Sequence, residues 1–201
     1  MIDVINSTSS IYSLKELNFS CGVQQINDFF AEKAIKFEKS KISTTLLFLD
    51  NETGLNKEER LKGFISFGLA TIDTTTDVSA KIELESLEFE KGDTAYGNIE
   101  KTKLFPVIAL NYFAVSDYFQ RKQFGTFMML YFFEMVIELS VEKHISFIGI
   151  VVSSLSDSTD FYEKLGFTYL GSSPNDINLK EYRMFITIDK IIEAHFKFKD
   201  K

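Results

Sequence analysis

Residues 104–126 read LFPVIALNYFAVSDYFQRKQFGT. The first part, Leu104 to Val115, is long and apolar enough to predict a central strand, with Pro106 near its start. The polar residues Ser116 to Gln123 predict a turn, and the apolar periodicity after them predicts a helix to about Lys143. A buried strand that passes through a polar turn into a long helix is typical of an α/β protein.

Hydrophobic patterning extends this interpretation in both directions along the chain. Before the strand, we expect a helix from Gly22 to about Lys39, capped by Ser20. It is followed by a strand over Ser43–Leu49, a polar turn over Asn51–Lys62 and an antiparallel strand over Gly63–Ile72. After the long helix, we expect a strand over Ile145–Val152, a short helix capped by Ser156 or Asp157 and stopped by Gly166, strands over Phe167–Leu170 and Tyr182–Ile188, and a terminal helix capped by Asp189. The spacing predicts that the inner face of the long helix is formed by Phe124, Phe127, Met128, Tyr131, Met135 and Leu139.

The composition is that of an ordinary globular protein of 201 residues, 45% hydrophobic and 25% charged. Twenty-two basic side chains face 29 acidic ones, which gives a net charge of −7. Eight of the acidic residues fall between Asp73 and Glu100, and they predict an acidic insertion at about residues 73–103. No linker or repeat divides the sequence, so we expect a single domain over residues 1–201.

The sequence also carries signals about the cellular compartment. Cys21 is the only cysteine, which excludes a disulfide framework and suits a reducing environment. The N-terminus does not have the basic and apolar segments of a signal peptide. No apolar run approaches the roughly 18 to 20 residues that cross a bilayer. We therefore expect a soluble, cytoplasmic protein without a membrane partner.

Common catalytic motifs are missing from the sequence. His144 and His195 lie far apart, and there is no P-loop, no Gly-x-Ser-x-Gly elbow and no histidine cluster with metal-ligand spacing. These absences count against the common hydrolases, kinases and zinc enzymes. They predict that the protein has no metal site.

The turn before the long helix has features that favour anion binding. A helix N-terminus presents unpaired amides and the positive end of the helix dipole, and Arg121 and Lys122 add positive charge there. Gly125 would let the backbone approach a phosphate closely. The segment is therefore compatible with a phosphate site, and equally with an ordinary polar turn that opens a helix.

Residues 160–167, DFYEKLGF, predict a short amphipathic helix that is stopped by a glycine and followed by a strand. A tyrosine with a pKa near 10 can donate a proton to a leaving group of similar basicity, such as a thiolate. Tyr162 is therefore a candidate general acid, although most tyrosines are simply half-buried packing residues.

The order of these motifs resembles the GNAT superfamily of acetyl-CoA-dependent N-acetyltransferases. The resemblance spans roughly residues 14 to 188 and rests on the central strand, the Gln-x-x-x-x-Gly turn, the long helix and the Phe-Tyr-x-Lys-x-Gly-Phe segment. The segment FSCGVQQINDFF at residues 19–30, with Lys33 and Ala34 after it, is similar to one subgroup. That subgroup includes bacterial toxins that acetylate the α-amine of aminoacyl-tRNA.

The resemblance implies roles for particular residues. Gln120, Gln123 and Gly125 match the family's phosphate turn, in which backbone amides hold the pyrophosphate of coenzyme A. The implied cofactor-binding residues of the turn are Gln120, Arg121, Lys122, Gln123, Phe124, Gly125 and Thr126. Phe113, Ala114 and Val115 match the strand end that pairs with the pantetheine arm, and Tyr162 matches the general acid.

Three positions depart from the family's pattern. Gln123 replaces a glycine, so we expect the backbone to adopt a positive φ less readily there and the side chain to crowd the phosphates. Leu155 and Ser158 replace an asparagine and an alanine. These departures keep open a second class of function, a non-catalytic module that binds an acyl-CoA or a protein.

The acceptor is open at this stage. The central strand carries no Asp, Glu or His that would serve as a general base, which favours an amine of low pKa. Glu83, Glu85 or Glu88 of the insertion would supply a base if they folded over the site, and otherwise belong to a solvated loop. We expect acetyl-CoA as cosubstrate and a primary amine as acceptor; tRNA is compatible with the resemblance but disfavoured by the net charge. The 21 phenylalanines leave room for a homodimer.

Overall fold

The computed structural model describes residues 2–10, 13–50, 55, 57–73, 104–171 and 180–199. The strands are β1 (Ile2–Asn6), β2 (Thr44–Asp50), β3 (Leu61–Asp73), β4 (Leu104–Val115), β5 (Gly149–Leu155), β6 (Thr168–Tyr169) and β7 (Glu181–Thr187). The helices are α1 (Gln24–Asp28), α2 (Ala34–Lys39), α3 (Lys57–Arg60), α4 (Phe124–Ile137), α5 (Thr159–Lys164) and α6 (Ile188–Lys199). Beyond Asp73, the predicted acidic insertion with Glu83, Glu85 and Glu88 lies outside the described residues.

Hydrogen bonding places the seven strands in the order β1-β2-β3-β4-β5-β7-β6. The pairs β1–β2, β2–β3, β5–β7 and β6–β7 are antiparallel. The predicted class, an α/β protein with a mostly antiparallel sheet flanked by helices, is confirmed. The bounds of β4 agree with the sequence prediction, and the first two predicted strands correspond to β2 and β3.

Strand β1 was not predicted from the sequence. It pairs along the edge of β2, with Ile2 opposite Asp50 and Asn6 opposite Leu46. The chain that follows is held by the hydroxyls of Ser7 and Thr8, which donate to the carboxylate of the buried Glu38 in α2. These contacts come from residues about 30 positions away, so local pattern alone gives little sign of the strand.

Contacts divide the chain into two compact units. The first contains Met1–Gly68 and Leu110–Met135, and the second contains Leu69–Ala109 and Val136–Lys201. The expectation of a single domain stays a prediction.

In the first unit, helices cover both faces of the strands. On one face, Phe29 and Phe30 are fully buried against Phe64 of β3, with ring centroids 6.3 and 4.8 Å apart. On the other face, Phe67 of β3 packs against Phe132 of α4, with ring centroids 5.1 Å apart. The alternation of side chains along a strand accounts for this two-sided packing.

The predicted N-terminal helix is present but not uniform. A π-helical turn, Phe29–Lys33, separates α1 from α2. Ser20 does not cap it: Val23 is the N-cap residue, and the Ser20 hydroxyl instead donates to Asp117 Oδ2 at 2.6 Å. The predicted polar turn over Asn51–Lys62 is also more ordered at its end, where α3 leads directly into β3 at Leu61.

The prediction for the inner face of α4 was wrong for most of its members. Phe127 and Tyr131 are 45% and 37% exposed, Phe124, Met135 and Leu139 are partly buried, and only Met128 is fully buried. The buried side chains are Met128, Met129, Phe132, Phe133 and Val136. Because nearly every position of this helix is apolar, the periodicity does not distinguish its faces.

The same helix corrects the expectation about apolar runs. Together with the π-helical turn Glu138–Glu142, α4 forms a 19-residue helix that is long and apolar enough to cross a membrane by length and composition. Core helices of soluble proteins pass the same test. In this helix the side chains of Met128, Met129, Phe132, Phe133 and Val136 are buried.

In the second unit, β5 pairs with β7 along its whole length, from Gly149 opposite Thr187 to Leu155 opposite Glu181. The predicted strand over Ile145–Val152 is displaced, because residues 145–148 are irregular and the strand begins at Gly149. The predicted strands near Phe167 and Tyr182 correspond to β6 and β7.

Two predicted helix caps in the second unit were also wrong. The amide of Lys190 donates to Thr187 Oγ1 at 3.2 Å, so Thr187 rather than Asp189 caps α6. Neither Ser156 nor Asp157 caps α5; they lie in a 3-10 turn before it, where the Thr159 hydroxyl donates to the Ser156 carbonyl.

Candidate functional site

The turn between β4 and α4 lies in the first unit and is tightly wound. The amides of Phe119 and Gln120 both donate to the Ser116 carbonyl, at 2.8 and 3.1 Å. Arg121 and Gln123 then adopt left-handed φ angles of 59° and 62°. We expected Gln123 to resist a positive φ, yet the backbone takes the path that suits a glycine, at a cost of about 1 kcal/mol for each side chain.

The helix that follows begins with open amides. The amide of Phe127 donates to the Gln123 carbonyl at 3.2 Å, which is the first hydrogen bond of α4. The amides of Phe124, Gly125 and Thr126 precede that bond, so they have no partner within the helix. Open amides next to left-handed residues form a concave site suited to anions.

The cations predicted at this turn are both at the surface. Arg121 is exposed. Lys122 is also exposed, but its side chain folds back and donates to the Tyr118 carbonyl at 2.7 Å. The turn therefore combines open amides with positive charge, which is the chemistry that a pyrophosphate requires.

The side chain of Gln120 is exposed, yet its amide group is bound to the protein. Its amide nitrogen lies within donating distance of three oxygens: the Cys21 carbonyl at 3.0 Å, the Val115 carbonyl at 3.1 Å and Asp117 Oδ1 at 3.3 Å. Gln120 thus supports the turn from behind. The sequence gave no sign of these partners, and the assignment of Gln120 to a cofactor site stays a prediction.

The strand end that precedes the turn is partly buried. Ala114 is 3% exposed, and Phe113 and Val115 are half-buried. A Cβ on Gly63 of β3 would lie 2.5 Å from the Ala114 carbonyl, so the two backbones approach more closely there than a side chain would allow. The three residues predicted to contact a pantetheine arm directly precede the turn in the chain.

Tyr162 lies on α5 in the second unit. Its ring is 5% exposed and packs edge-on between Phe161 and Phe167, with ring centroids 5.2 and 5.3 Å away. Burial raises the pKa of the Tyr162 phenol well above its ordinary value. The hydroxyl therefore keeps its proton at neutral pH, which is the state that a general acid needs.

The end of α5 fixes the position of Tyr162. The amide of Phe167 donates to the Tyr162 carbonyl at 3.1 Å, and the amide of Gly166 donates to the Glu163 carbonyl at 2.9 Å. Gly166 has a φ of 98°, as predicted for the residue that stops the helix. These two bonds form a Schellman motif, so a glycine is required at this position.

The predicted strand before α5 ended at Val152, whereas β5 continues to Leu155. Leu155 is the last residue of β5, and Ser158 lies in the 3-10 turn before α5. Residues 113–126 form one continuous segment of the first unit, whereas Tyr162 belongs to the second. Within the described part of the chain, no group of three or more His, Cys, Asp or Glu side chains is placed to hold a metal ion.

Two side chains that support the turn were missed by the sequence reasoning. Asp117 accepts the hydroxyl of Ser20, and the ammonium of Lys62 packs against the ring of Phe119. Asp117 stands in the quoted turn and Ser20 in the quoted N-terminal segment, but nothing in the pattern joins them across 97 residues.

No family model matches this sequence, and no curated protein matches it by sequence. Solved structures with the same fold do match. One described as a bacterial toxin has 21% identity and a TM-score of 0.73, over 96% of this chain and 94% of that one. AtaT complexed with acetyl-methionyl-tRNAfMet has 17% identity and a TM-score of 0.68, over 98% and 99%. A tyrosine-to-phenylalanine mutant of the AtaT toxin, bound to the C-terminus of the antitoxin AtaR and acetyl-CoA, has 17% identity and a TM-score of 0.64, over 94% and 95%. The chain therefore has the fold of these toxins along nearly its whole length.

Proposed function

We propose that this protein is an N-acetyltransferase that transfers the acetyl group of acetyl-CoA to a primary amine by direct attack. The observation that carries the proposal is the turn before α4, where positive φ angles at Arg121 and Gln123 lead into three open helix amides. This anion site occurs in a fold shared with an AtaT structure that holds acetyl-CoA.

The residues of the first unit would bind the cosubstrate. Backbone amides between Arg121 and Thr126 hold the pyrophosphate, and the strand end Phe113–Val115 pairs with the pantetheine arm. Both contacts come mainly from the backbone, so they tolerate the change from glycine to Gln123. Acetyl-CoA supplies an acyl group that is activated as a thioester, and its leaving group is a thiolate.

In the transfer itself, the amine nitrogen bonds to the carbonyl carbon and the carbon–sulfur bond breaks. Tyr162 gives its phenolic proton to the departing sulfur, and the amine releases a proton to water. Because burial raises the pKa of Tyr162, the phenol holds its proton at neutral pH and has one to donate.

Among acceptors, we favour the α-amine of aminoacyl-tRNA. Deprotonating an α-amine at neutral pH costs about 1 kcal/mol, against roughly 4 kcal/mol for a lysine-like amine, and β4 carries no side chain that would act as base. The AtaT structure with acetyl-methionyl-tRNAfMet supports the same choice. Most of the net negative charge resides in residues 73–100, so it says little about the rest of the surface.

The first test is a thermal-shift titration with acetyl-CoA, with ATP as control. Ligand at a hundred times its dissociation constant adds about 2.7 kcal/mol, which raises the melting temperature by roughly 5 to 10 °C in a protein of this size. Assays with charged tRNA and with a panel of free amines then identify the acceptor. The absence of any shift at millimolar acetyl-CoA would overturn the proposal.

The competing function is the non-catalytic binding module. It is favoured only if acetyl-CoA binds and no acceptor is acetylated. In that case Gln123→Gly should tighten acetyl-CoA binding without creating turnover, because it removes a side chain from the phosphate site.

A further inference from the structure

The loop Ser20–Gly22, which opens the N-terminal helical segment, lies against the turn before α4. The amide of Asp117 donates to the Ser20 carbonyl at 2.9 Å, and the Ser20 hydroxyl donates to Asp117 Oδ2 at 2.6 Å. Two residues that are 97 positions apart thus exchange reciprocal hydrogen bonds. A pair of this kind fixes both the distance and the orientation of two chain segments.

Gln120 adds a second connection between the same two segments. Its amide nitrogen reaches the Cys21 carbonyl of the loop, the Val115 carbonyl of β4 and the Asp117 carboxylate of the turn. An amide group has two hydrogens, so the three acceptors share them. One side chain therefore joins the loop, the strand end and the turn.

The loop is itself firmly anchored to the first unit. The amide of Cys21 donates to Asn27 Oδ1 at 3.1 Å, and the ring of Phe19 packs against Phe30 and Phe64 with centroids 5.1 and 5.3 Å away. The loop is therefore a fixed support from which the turn can be held. Gly22 has a φ of 80°, and a Cβ there would lie 3.5 Å from Asp117 Oδ1.

We propose that Ser20, Asp117 and Gln120 form a clasp that positions the cofactor turn and holds Arg121 and Gln123 in their left-handed conformations. A glycine adopts a left-handed conformation readily because it has no side chain, whereas here the hydrogen bonds of the clasp stabilise that conformation. It also gives a role to the Phe19–Phe30 segment, which the transfer chemistry does not use. The inference rests on the proposed function, since the turn is taken to hold the pyrophosphate of acetyl-CoA.

The clasp residues are positioning residues, and they are tested by one near-isosteric substitution. Gln120→Met keeps the approximate size and the neutral charge of the side chain but has no group that can donate to Cys21, Val115 or Asp117. We expect the dissociation constant of acetyl-CoA to rise at least tenfold. S-acetylpantetheine lacks the pyrophosphate, so its dissociation constant should change less than twofold.

Ser20 offers a matched pair of variants at an exposed position. Ser20→Thr keeps the hydroxyl that donates to Asp117, whereas Ser20→Ala removes it. We expect Ser20→Ala to weaken acetyl-CoA binding three- to tenfold and Ser20→Thr to bind like the wild type. Isothermal titration measures the dissociation constant of acetyl-CoA for the wild type and for each of the three variants. Circular dichroism confirms that each variant is folded.

Cys21 provides a readout that does not depend on acetyl-CoA. It is the only cysteine in the chain, it is 9% exposed, and burial raises the pKa of its thiol. Alkylation by iodoacetamide should be slow in the wild type and several times faster in Ser20→Ala and Gln120→Met. In the wild type, acetyl-CoA should slow the alkylation further, and S-acetylpantetheine should not.

The outcomes separate the two proposals. If the wild type does not bind acetyl-CoA, the proposed function fails, while alkylation of the unliganded variants still decides whether the clasp holds the loop to the turn. If the wild type binds and the variants bind equally well, the clasp does not position the turn. Equal losses for acetyl-CoA and S-acetylpantetheine would also overturn the inference, because they indicate general damage.

Discussion

The ammonium nitrogen of Lys62 lies 3.7 Å from the centre of the Phe119 ring, inside the turn that precedes α4. The same nitrogen is 3.1 Å from Asp50 Oδ2, and the two side chains are only 10% and 13% exposed. The carbonyl of Lys62 accepts the amide of Ser116 at 2.9 Å. One residue at the start of β3 therefore supports the turn through its backbone and through its charge.

Lys62→Met should destabilise the protein by about 3 kcal/mol, because it removes an ammonium group that lies 3.1 Å from the nearly buried carboxylate of Asp50. The double variant Lys62→Met with Asp50→Leu should recover most of that loss. Urea unfolding of the wild type, both single variants and the double variant gives the coupling free energy. A cost below 0.5 kcal/mol for Lys62→Met, on the scale of an exposed pair, would show that the ion pair is not a buried one.

Substitutions at Gln123 should follow the cost of its left-handed φ. Gln123→Gly relieves about 1 kcal/mol of strain but loses part of that in chain entropy, so we expect a rise of about 1 to 2 °C in melting temperature. Gln123→Val, which is β-branched, should lower it by roughly 3 °C or more. Lys122→Gly is the matched control: Lys122 is not among the described residues with positive φ, so it should only destabilise. Equal losses for glycine at both positions would contradict the strain argument.

Tyr162→Phe should reduce turnover about 100-fold or more, which is the usual contribution of a general acid. Acetyl-CoA affinity should change less than twofold, because the ring still fills its place between Phe161 and Phe167. Steady-state assays with the identified acceptor, together with titration of acetyl-CoA, measure the two effects. Tyr169→Phe, in the same unit, serves as the control and should retain full turnover; intact turnover in Tyr162→Phe would remove the general acid from the mechanism.

Tyr162 also predicts a difference in alkaline stability. Its folded-state pKa is raised by burial, so above pH 10 the unfolded chain loses this proton while the folded chain keeps it. The wild type should therefore lose stability relative to Tyr162→Phe as the pH rises above 10, by up to about 1.4 kcal/mol per pH unit, with no such divergence below pH 9. Urea unfolding of both proteins between pH 8 and 11 tests this, and parallel curves would mean that the phenol ionises readily in the folded state.

We expect that replacement of His195 by an apolar residue stabilises the protein. The side chain is 7% exposed, and its Nδ1 has no hydrogen-bond partner among the described residues. His195→Leu should stabilise the protein by about 1 to 2 kcal/mol, because it removes an unsatisfied polar atom from an apolar setting. His144→Asn, at an exposed loop position, is the control and should change little. A loss of stability in His195→Leu would show that Nδ1 is satisfied in solution.

Local signals in the sequence predicted the elements that depend on neighbouring residues. The long, largely apolar run of β4 predicted its bounds, and Gly166 predicted the end of α5, because a left-handed stop needs only the residues around it. The same local reasoning failed for the face of α4, where nearly every position is apolar. It also failed for two helix caps. Ser20 binds Asp117 instead of capping a helix, and Thr187 caps α6 in place of Asp189.

The contacts that support the candidate site could not be predicted from the sequence. The resemblance to the acetyltransferases implied the site residues 120–126, and this assignment stays a prediction. The contacts of Ser20 with Asp117 and of Lys62 with Phe119 join distant parts of the chain, and only the folded structure brings them together. The left-handed backbone at Gln123 could not be expected from a residue type that disfavours it.

The turn that reaches its shape without a glycine at position 123 has a consequence for how such proteins diverge. When residues elsewhere in the chain stabilise a backbone conformation, the residues that adopt it no longer need to be glycines. Substitutions can then accumulate in the motif while the geometry is inherited intact. Proteins that diverge in this way lose their sequence motif before their activity. Their relationship is then better recognised from the backbone conformation than from the sequence motif.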